Sequence, residues 1–156
     1  MQEKILVPLD GSKVGEAALP YVEDLVSKLS PEVQAEVILL QVLYSVSPSK
    51  LGGSEVADIA YTETQMEGNK KNARDYLNQT GEALRTKGAT VTAKVAVGDA
   101  SEEIVKAAEE IGANLIAMST HGRSGLSRWA FGSVTDKVLR RGGRIPVAMI
   151  KAPKKS

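Results

Sequence analysis

Between Ser119 and Ser133 the chain reads STHGRSGLSRWAFGS, a short stretch that combines glycines, hydroxyls and arginines. An apolar run from Asn114 to Met118 precedes it, and a helix-like run from Val134 to Arg141 follows. Glycine lets backbone N–H groups approach an oxyanion with no Cβ in the way. The unpaired N–H groups and the dipole of a following helix favour negative charge at its start. The chemistry this pattern suits is the holding of a phosphate, and with it a nucleotide. Gly132 and Ser133 fall where the last helix should begin, so Ser133 suits both an N-cap and a hydroxyl donor to a phosphate. Arg123 and Arg128 suit neutralisation of outer phosphates. On composition alone a second reading stays open, an ordinary surface loop shaped by Gly122 and Gly125 in which Ser133 only caps a helix.

A second element lies at the other end of the chain. Val7-Pro8-Leu9-Asp10-Gly11-Ser12 closes a first strand and opens a first helix. In a doubly wound sheet, ligands collect outside the carboxyl ends of the strands where the strand order reverses. If the first and fourth strands meet there, Asp10 and the loop after Ser119 face one crevice. Asp10 then either accepts hydrogen bonds from a ribose or base, or contacts a metal-bound water, or closes an Asx turn.

Other chemistries find no support. There is no G-x-x-x-x-G-K-[ST] and no G-x-G-x-x-G. His121 is the only histidine and reads as a hydrogen-bonding or packing residue. Ser124, Ser127 and Ser133 lack a His–carboxylate partner of the hydrolase kind. Trp129 and Phe131 read as apolar anchors or partner contacts, and the Glu102-Glu103 and Glu109-Glu110 pairs as a solvated helix face. With no cysteine, disulfides, thiolate catalysis and Cys-ligated zinc are excluded. A net charge of +1 and only six aromatic residues (four Tyr, one Phe, one Trp) argue against nucleic acid as partner.

The elements that must position these residues follow from the apolar pattern. A length of 156 residues suits one domain, and 42% hydrophobic with 25% charged residues is a globular composition. The N-terminal apolar run is short and broken by Pro8, so neither a leader nor a membrane span is expected, and the cytoplasm is the expected location. Lys4–Leu9, Glu36–Leu43, Asn114–Ser119 and Pro146–Lys151 are near-continuous apolar runs, as buried parallel strands should be. Thr90–Val97 alternates instead, which suits a strand near the sheet edge. Val14, Ala18, Tyr21, Val22, Leu25 and Leu29 form one helical stripe, with a kink or break expected at Pro20. Ala73, Leu77 and Leu84 mark a helix from near Thr64 to before Gly88. Ile104, Ala107, Ala108 and Ile111 mark another, opened by a capping box at Asp99-x-x-Glu102. A last helix runs from about Ser133 to Arg141 and stops at Gly142-Gly143. Residues 44–63 read as a long connection, either a lid or a plain crossover. Strict alternation of strand and helix means a parallel sheet covered on both faces.

Together the glycine loop and the strand-end Pro8-x-Asp10 resemble the universal stress protein family, along which residues 2–151 can be laid. The pattern of its ATP-binding members is Gly, two residues, Gly, nine residues, then Gly with Ser or Thr. Gly122, nine intervening residues, Gly132 and Ser133 match the second part, while Ser119 stands at the first glycine position, close to the ribose and phosphates in that family. Pro8 and Asp10 match a strand-end Pro-x-Asp beside the adenosine, and Val42 matches a position whose backbone contacts adenine. The resemblance implies a single-domain, Rossmann-like, doubly wound α/β fold over residues 1–156, with a five-stranded parallel sheet in the order 3-2-1-4-5. It implies a nucleotide site of Pro8, Leu9, Asp10, Val42, Met118, Ser119, His121, Gly122, Arg123, Gly132, Ser133 and Val134. ATP is the implied ligand, with Mg²⁺ held through the phosphates and Asp10 in reach of it through water. A homodimer through the last strand, Ile145 to Ile150, is also implied. The function implied is a nucleotide-dependent switch or binding module in the stress response. Its rivals are a member that does not bind ATP and serves as a dimeric interaction module, which Ser119 favours, and a weak ATPase or phosphotransferase. No residue stands as a base or water-orienting group, so no catalytic residue is assigned and efficient turnover is not expected.

Overall fold

A computed structural model describes residues 1–44, 55–120, 133–141 and 143–153, with residues 55–62 as backbone only. The strands fall on the five apolar runs: β1 Gln2–Pro8, β2 Gln34–Leu43, β3 Thr90–Val97, β4 Leu115–Thr120 and β5 Val147–Lys151. All pair in parallel, in the order β3-β2-β1-β4-β5. The alternating strand, β3, is at an edge as its pattern suggests. The near-continuous runs have a simple cause, since neighbouring residues of one strand enter different cores. Ile5, Val7, Val37, Leu39 and Ala117 pack on one face of the sheet, and Leu6, Ile38, Leu40, Ile116 and Met118 on the other.

Among the described residues five α-helices cover these faces: α1 Ala18–Ser27, α2 Glu55–Thr80, α3 Glu82–Thr86, α4 Ala100–Ile111 and α5 Ser133–Arg141. The first helical stripe is not one helix. A 3-10 turn, Gly15–Ala17, precedes α1, so the break falls before Pro20. Pro20 then lies in the first turn, where a missing N–H removes no intrahelical bond. Leu19, Val22 and Val26 are buried in place of Tyr21, which is 41% exposed. The second helix starts at Glu55, well before Thr64, and takes much of the stretch read as connection. The rest of that stretch, 45–54, lies outside the described residues. Ala73, Leu77 and Leu84 are buried as expected, but Gly81 separates α2 from α3. A Cβ at Gly81 would sit 2.7 Å from Cγ1 of Val91, so the small residue permits a close approach to β3.

Half of the capping box forms. Asp99 is the N-cap of α4 and accepts from the Glu102 N–H at 3.1 Å and from the Ser101 hydroxyl at 2.6 Å. The Glu102 carboxylate instead accepts from Arg141 of α5 at 2.9 Å. The Ser101 hydroxyl, then the Glu102 N–H, hold the Asp99 carboxyl below its ordinary range. A carboxyl lowered on folding stabilises in full above its unfolded value and loses that contribution as the pH falls through its folded value. Asp99→Ala should therefore lower Tm at neutral pH, and the gap to the parent should narrow toward pH of about 3. Asp99→Asn, which still caps, should lose less than Asp99→Ala; thermal melts by circular dichroism across this pH range check both statements.

Candidate functional site

The sheet opens at one place. β1 pairs with β2 from Gln2↔Gln34 to Pro8↔Leu40, but with β4 only at Ile5↔Leu115 and Leu6↔Ile116. The alternation of a parallel strand explains where the seam ends. Leu9 donates its N–H to Leu40 of β2 at 2.8 Å, whereas Lys4 accepts from Asn114 at 2.8 Å on the β4 side. Even-numbered residues of β1 thus face β4, and at the next such position Pro8 has no N–H to give. Beyond it β1 and β4 part, at the point where the strand order reverses.

A cavity of about 260 Å³ lies there. Leu9, Leu40, Val42, Ile104, Met118 and Val134 give it an apolar floor, and Asp10, Ser119, Ser133 and Thr135 bring polar groups to it. Such a mixture suits a ligand with one flat apolar part and one polar end. Every described residue among the sequence candidates lines this cavity: Pro8, Leu9, Asp10, Val42, Met118, Ser119, Ser133 and Val134. His121, Gly122, Arg123 and Gly132 lie outside the described residues, as do Arg128, Trp129 and Phe131. Gly15, Leu40, Ala100, Ile104 and Thr135 also line it and escape the sequence reading. The period-2 spacing of Leu40 and Val42 was the available signal for the first of the two. For Ala100 and Ile104 it was the general rule that helix starts follow strand ends at the same sheet edge.

Two sequence readings change in detail. Ser133 is the first residue of α5. Its place still brings it to the helix end where backbone N–H groups are free of intrahelical partners. Asp10 does close an Asx turn: its Oδ1 accepts from the Ser12 N–H at 2.9 Å and from the Ser12 hydroxyl at 2.5 Å. The Ser12 oxygen in turn accepts from the Gly15 N–H at 3.0 Å. A Cβ at Gly15 would lie 2.6 Å from Asp10 Oδ1, so this turn requires glycine there.

Ser119 faces this turn from β4. Its hydroxyl donates to the Gly15 carbonyl at 2.7 Å and accepts from the Ala18 N–H at 2.8 Å. Ala18 is the first residue of α1, so Ser119 caps that helix from a different element. The two lips of the crevice, the end of β1 and the end of β4, are braced through one 3-10 turn.

Comparison with known proteins agrees with this architecture. The family model of the universal stress proteins matches residues 1–151. The chain belongs to the universal stress protein family. It is 33% identical to universal stress protein MJ0577 of Methanocaldococcus jannaschii, over 97% of this chain and 96% of that one. Against universal stress protein YxiE of Bacillus subtilis the identity is 32%, over 88% of this chain and 92% of that one. The solved structure of MJ0577 superposes with a TM-score of 0.77 at 28% identity, covering 98% of both chains. No helix among the described residues is long and apolar enough to cross a membrane.

Serine at position 119 thus has a structural cause in this family member. Ser119→Ala leaves the Gly15 carbonyl and the Ala18 N–H without their partner and should lower unfolding free energy by about 1 kcal/mol in urea melts. Gly15→Ala should destabilise further, because its Cβ forces the Asp10 turn apart.

Proposed function

We propose that this universal stress protein is a single-domain ATP-binding switch or binding module of the stress response, in the cytoplasm, with its nucleotide in the crevice between β1 and β4. One observation carries the reading: candidate residues from four separate segments, around Pro8, Val42, Met118 and Ser133, converge on one cavity at the switch point. The apolar floor at Leu40, Val42 and Met118 suits a base, and the start of α5 suits a phosphate. With Oδ1 of Asp10 engaged by Ser12, its other oxygen is left for a ribose hydroxyl or a metal-bound water. Among the described residues no cluster of three or more His, Asp or Glu could hold a metal by itself. That donor set fits Mg²⁺ carried by the phosphates and water, with Asp10 outside its first coordination sphere. Two solved universal stress proteins of this fold hold cAMP and, in Arabidopsis thaliana, AMP, at 19% and 18% identity. At that identity the likeness is one of fold, and the nucleotide reading rests on the crevice of this chain. The rival, a member without ATP, draws on Ser119, whose hydroxyl is engaged by the 3-10 turn and α1.

Equilibrium titration of the purified protein with MgATP separates the two readings. Saturable binding is expected, and none at millimolar nucleotide would remove the proposal. Ser133→Asp places a carboxylate at the start of α5, where the helix dipole favours it. Thermal stability should hold or rise while ATP affinity falls by about tenfold or more. A variant that bound ATP like the parent would move the phosphates elsewhere.

We also propose a homodimer through β5, which has no strand on its outer side among the described residues. Ile116 donates to Pro146 at 2.9 Å and Ala152 to Thr120 at 3.2 Å, so even-numbered residues of β5 face β4. Met149 then turns its N–H outward. Met149→Pro should keep the fold and convert a sedimenting dimer to monomer; a variant still dimeric would place the interface on another surface.

A further inference from the structure

The alternation that aims Leu40 and Val42 into the first crevice turns Gln41 and Leu43 to the opposite face of β2. A second cleft, of about 250 Å³, lies there between the end of β2 and α2. Gln41, Leu43, Asn69, Asn72, Ala73 and Tyr76 line it, together with the turn at Gly11. On α2 the three polar residues stand at i, i+3 and i+7, which is one helix face. Upstream positions on that face of β2, Val37 and Leu39, are core residues, so Gln41 brings a carboxamide where the pattern would supply an aliphatic side chain.

Two of these groups are buried and unpaired. Among the described residues Oε1 of Gln41 and the Tyr76 hydroxyl have no hydrogen-bond partner, although both atoms are shielded from solvent. Turning the Gln41 amide over exchanges an acceptor for a donor and leaves one buried polar atom unpaired either way. Buried polar groups are almost always paired, so two of them on side chains that line one cleft point to a partner, reached by a small rotation of those side chains, that the protein does not itself supply.

The lining defines that partner. Among the described residues no ionisable group other than the Tyr76 phenol borders the cleft. Burial, then the negative charge of Glu16 and to a lesser degree Asp10, raise the Tyr76 pKa, while the Thr80 hydroxyl opposes this without completing a hydrogen bond. The phenol therefore keeps its proton at neutral pH, and the surrounding field disfavours an anion. Carboxamides and a phenol together offer donors and acceptors in mixture. A hydroxyl matches such a mixture best, because its rotating proton lets one group donate to Gln41 and accept from a neighbouring amide. Four lining groups spread over two helical turns call for several hydroxyls on one small molecule.

We propose that this α2-side cleft is a second binding site, for a small uncharged polyol held by Gln41, Asn69, Asn72 and Tyr76. It adjoins the nucleotide crevice at the turn after β1 and along the end of β2, with no lining residue in common.

Side-chain amide signals of ¹⁵N-labelled protein test it, with glucose, sorbitol and myo-inositol as probes. At least one probe should shift the NH₂ signals of Gln41, Asn69 and Asn72 saturably below about 100 mM. Gln41→Met and Tyr76→Phe, which keep volume and remove hydrogen-bonding atoms, should each weaken that binding by about tenfold while leaving the melting profile near the parent's. Saturable shifts with no probe mean that the cleft holds water only, and overturn the proposal. Equal shifts in parent and variants place the polyol elsewhere, and overturn it also.

Discussion

The site depends on the missing N–H of Pro8. In a parallel sheet each strand hands its donors alternately to its two neighbours, and a proline at an even-numbered position of β1 deprives β4 of the next one. The seam therefore ends at Leu6↔Ile116 while the β1–β2 seam continues to Pro8↔Leu40. The asymmetry makes a crevice without weakening the sheet, because Val7 and Leu9 remain fixed on the β2 side and buried in the core. A polar ladder lost at one register leaves room that neither core fills.

An opening of that kind needs its edges held, and the bracing around Gly15 does this. Asp10, Ser12, Gly15 and Ser119 form a chain of bonds of 2.5–3.0 Å that runs from the end of β1 through the 3-10 turn to the end of β4. Each bond uses a group that a bare loop would leave to water. Ser119 adds the cap of α1, so one hydroxyl ties that helix and the 3-10 turn to the end of β4. Its Cβ carries the oxygen toward Gly15 and Ala18, which orders the lip rather than offering the ligand a donor.

Most of the sheet was legible in the chain because burial on both faces leaves a strong mark. Runs such as Val37 to Leu40 admit few other readings, and β3 announced its edge by alternating. The site was legible in outline for a related reason: strand ends and helix starts share one edge, so Pro8, Val42, Met118 and Ser133 had to meet. What escaped was weakly marked or set by distant partners. The start at Glu55 was hard to read because its signals are brief: Ser54 and the short apolar period of Val56, Ile59 and Ala60 follow a stretch whose Ser, Pro and Gly residues read as connection. The break in the stripe from Val14 to Leu29 was expected at Pro20 and falls at Gly15–Ala17, because the 3-10 turn is held by Ser119, 104 positions from Gly15. The role of Gln41 was hidden inside a run that reads as core.

β2 shows what this fold can do with one strand end. Its last residues extend past the end of β1, and Leu40 and Val42 floor one cleft while Gln41 and Leu43 wall another. The Asp10–Gly11 turn lies between the two, with Asp10 bordering the first and Gly11 the second. A ligand that reoriented the Asp10 carboxylate would have to break its bonds to Ser12, and Ser12 holds the Gly15 N–H in turn. Any such movement reaches Ser119 and α1 within two further bonds. The turn after β1 is therefore tied to the start of α1 through an unbroken series of hydrogen bonds by way of Ser12, Gly15 and Ser119.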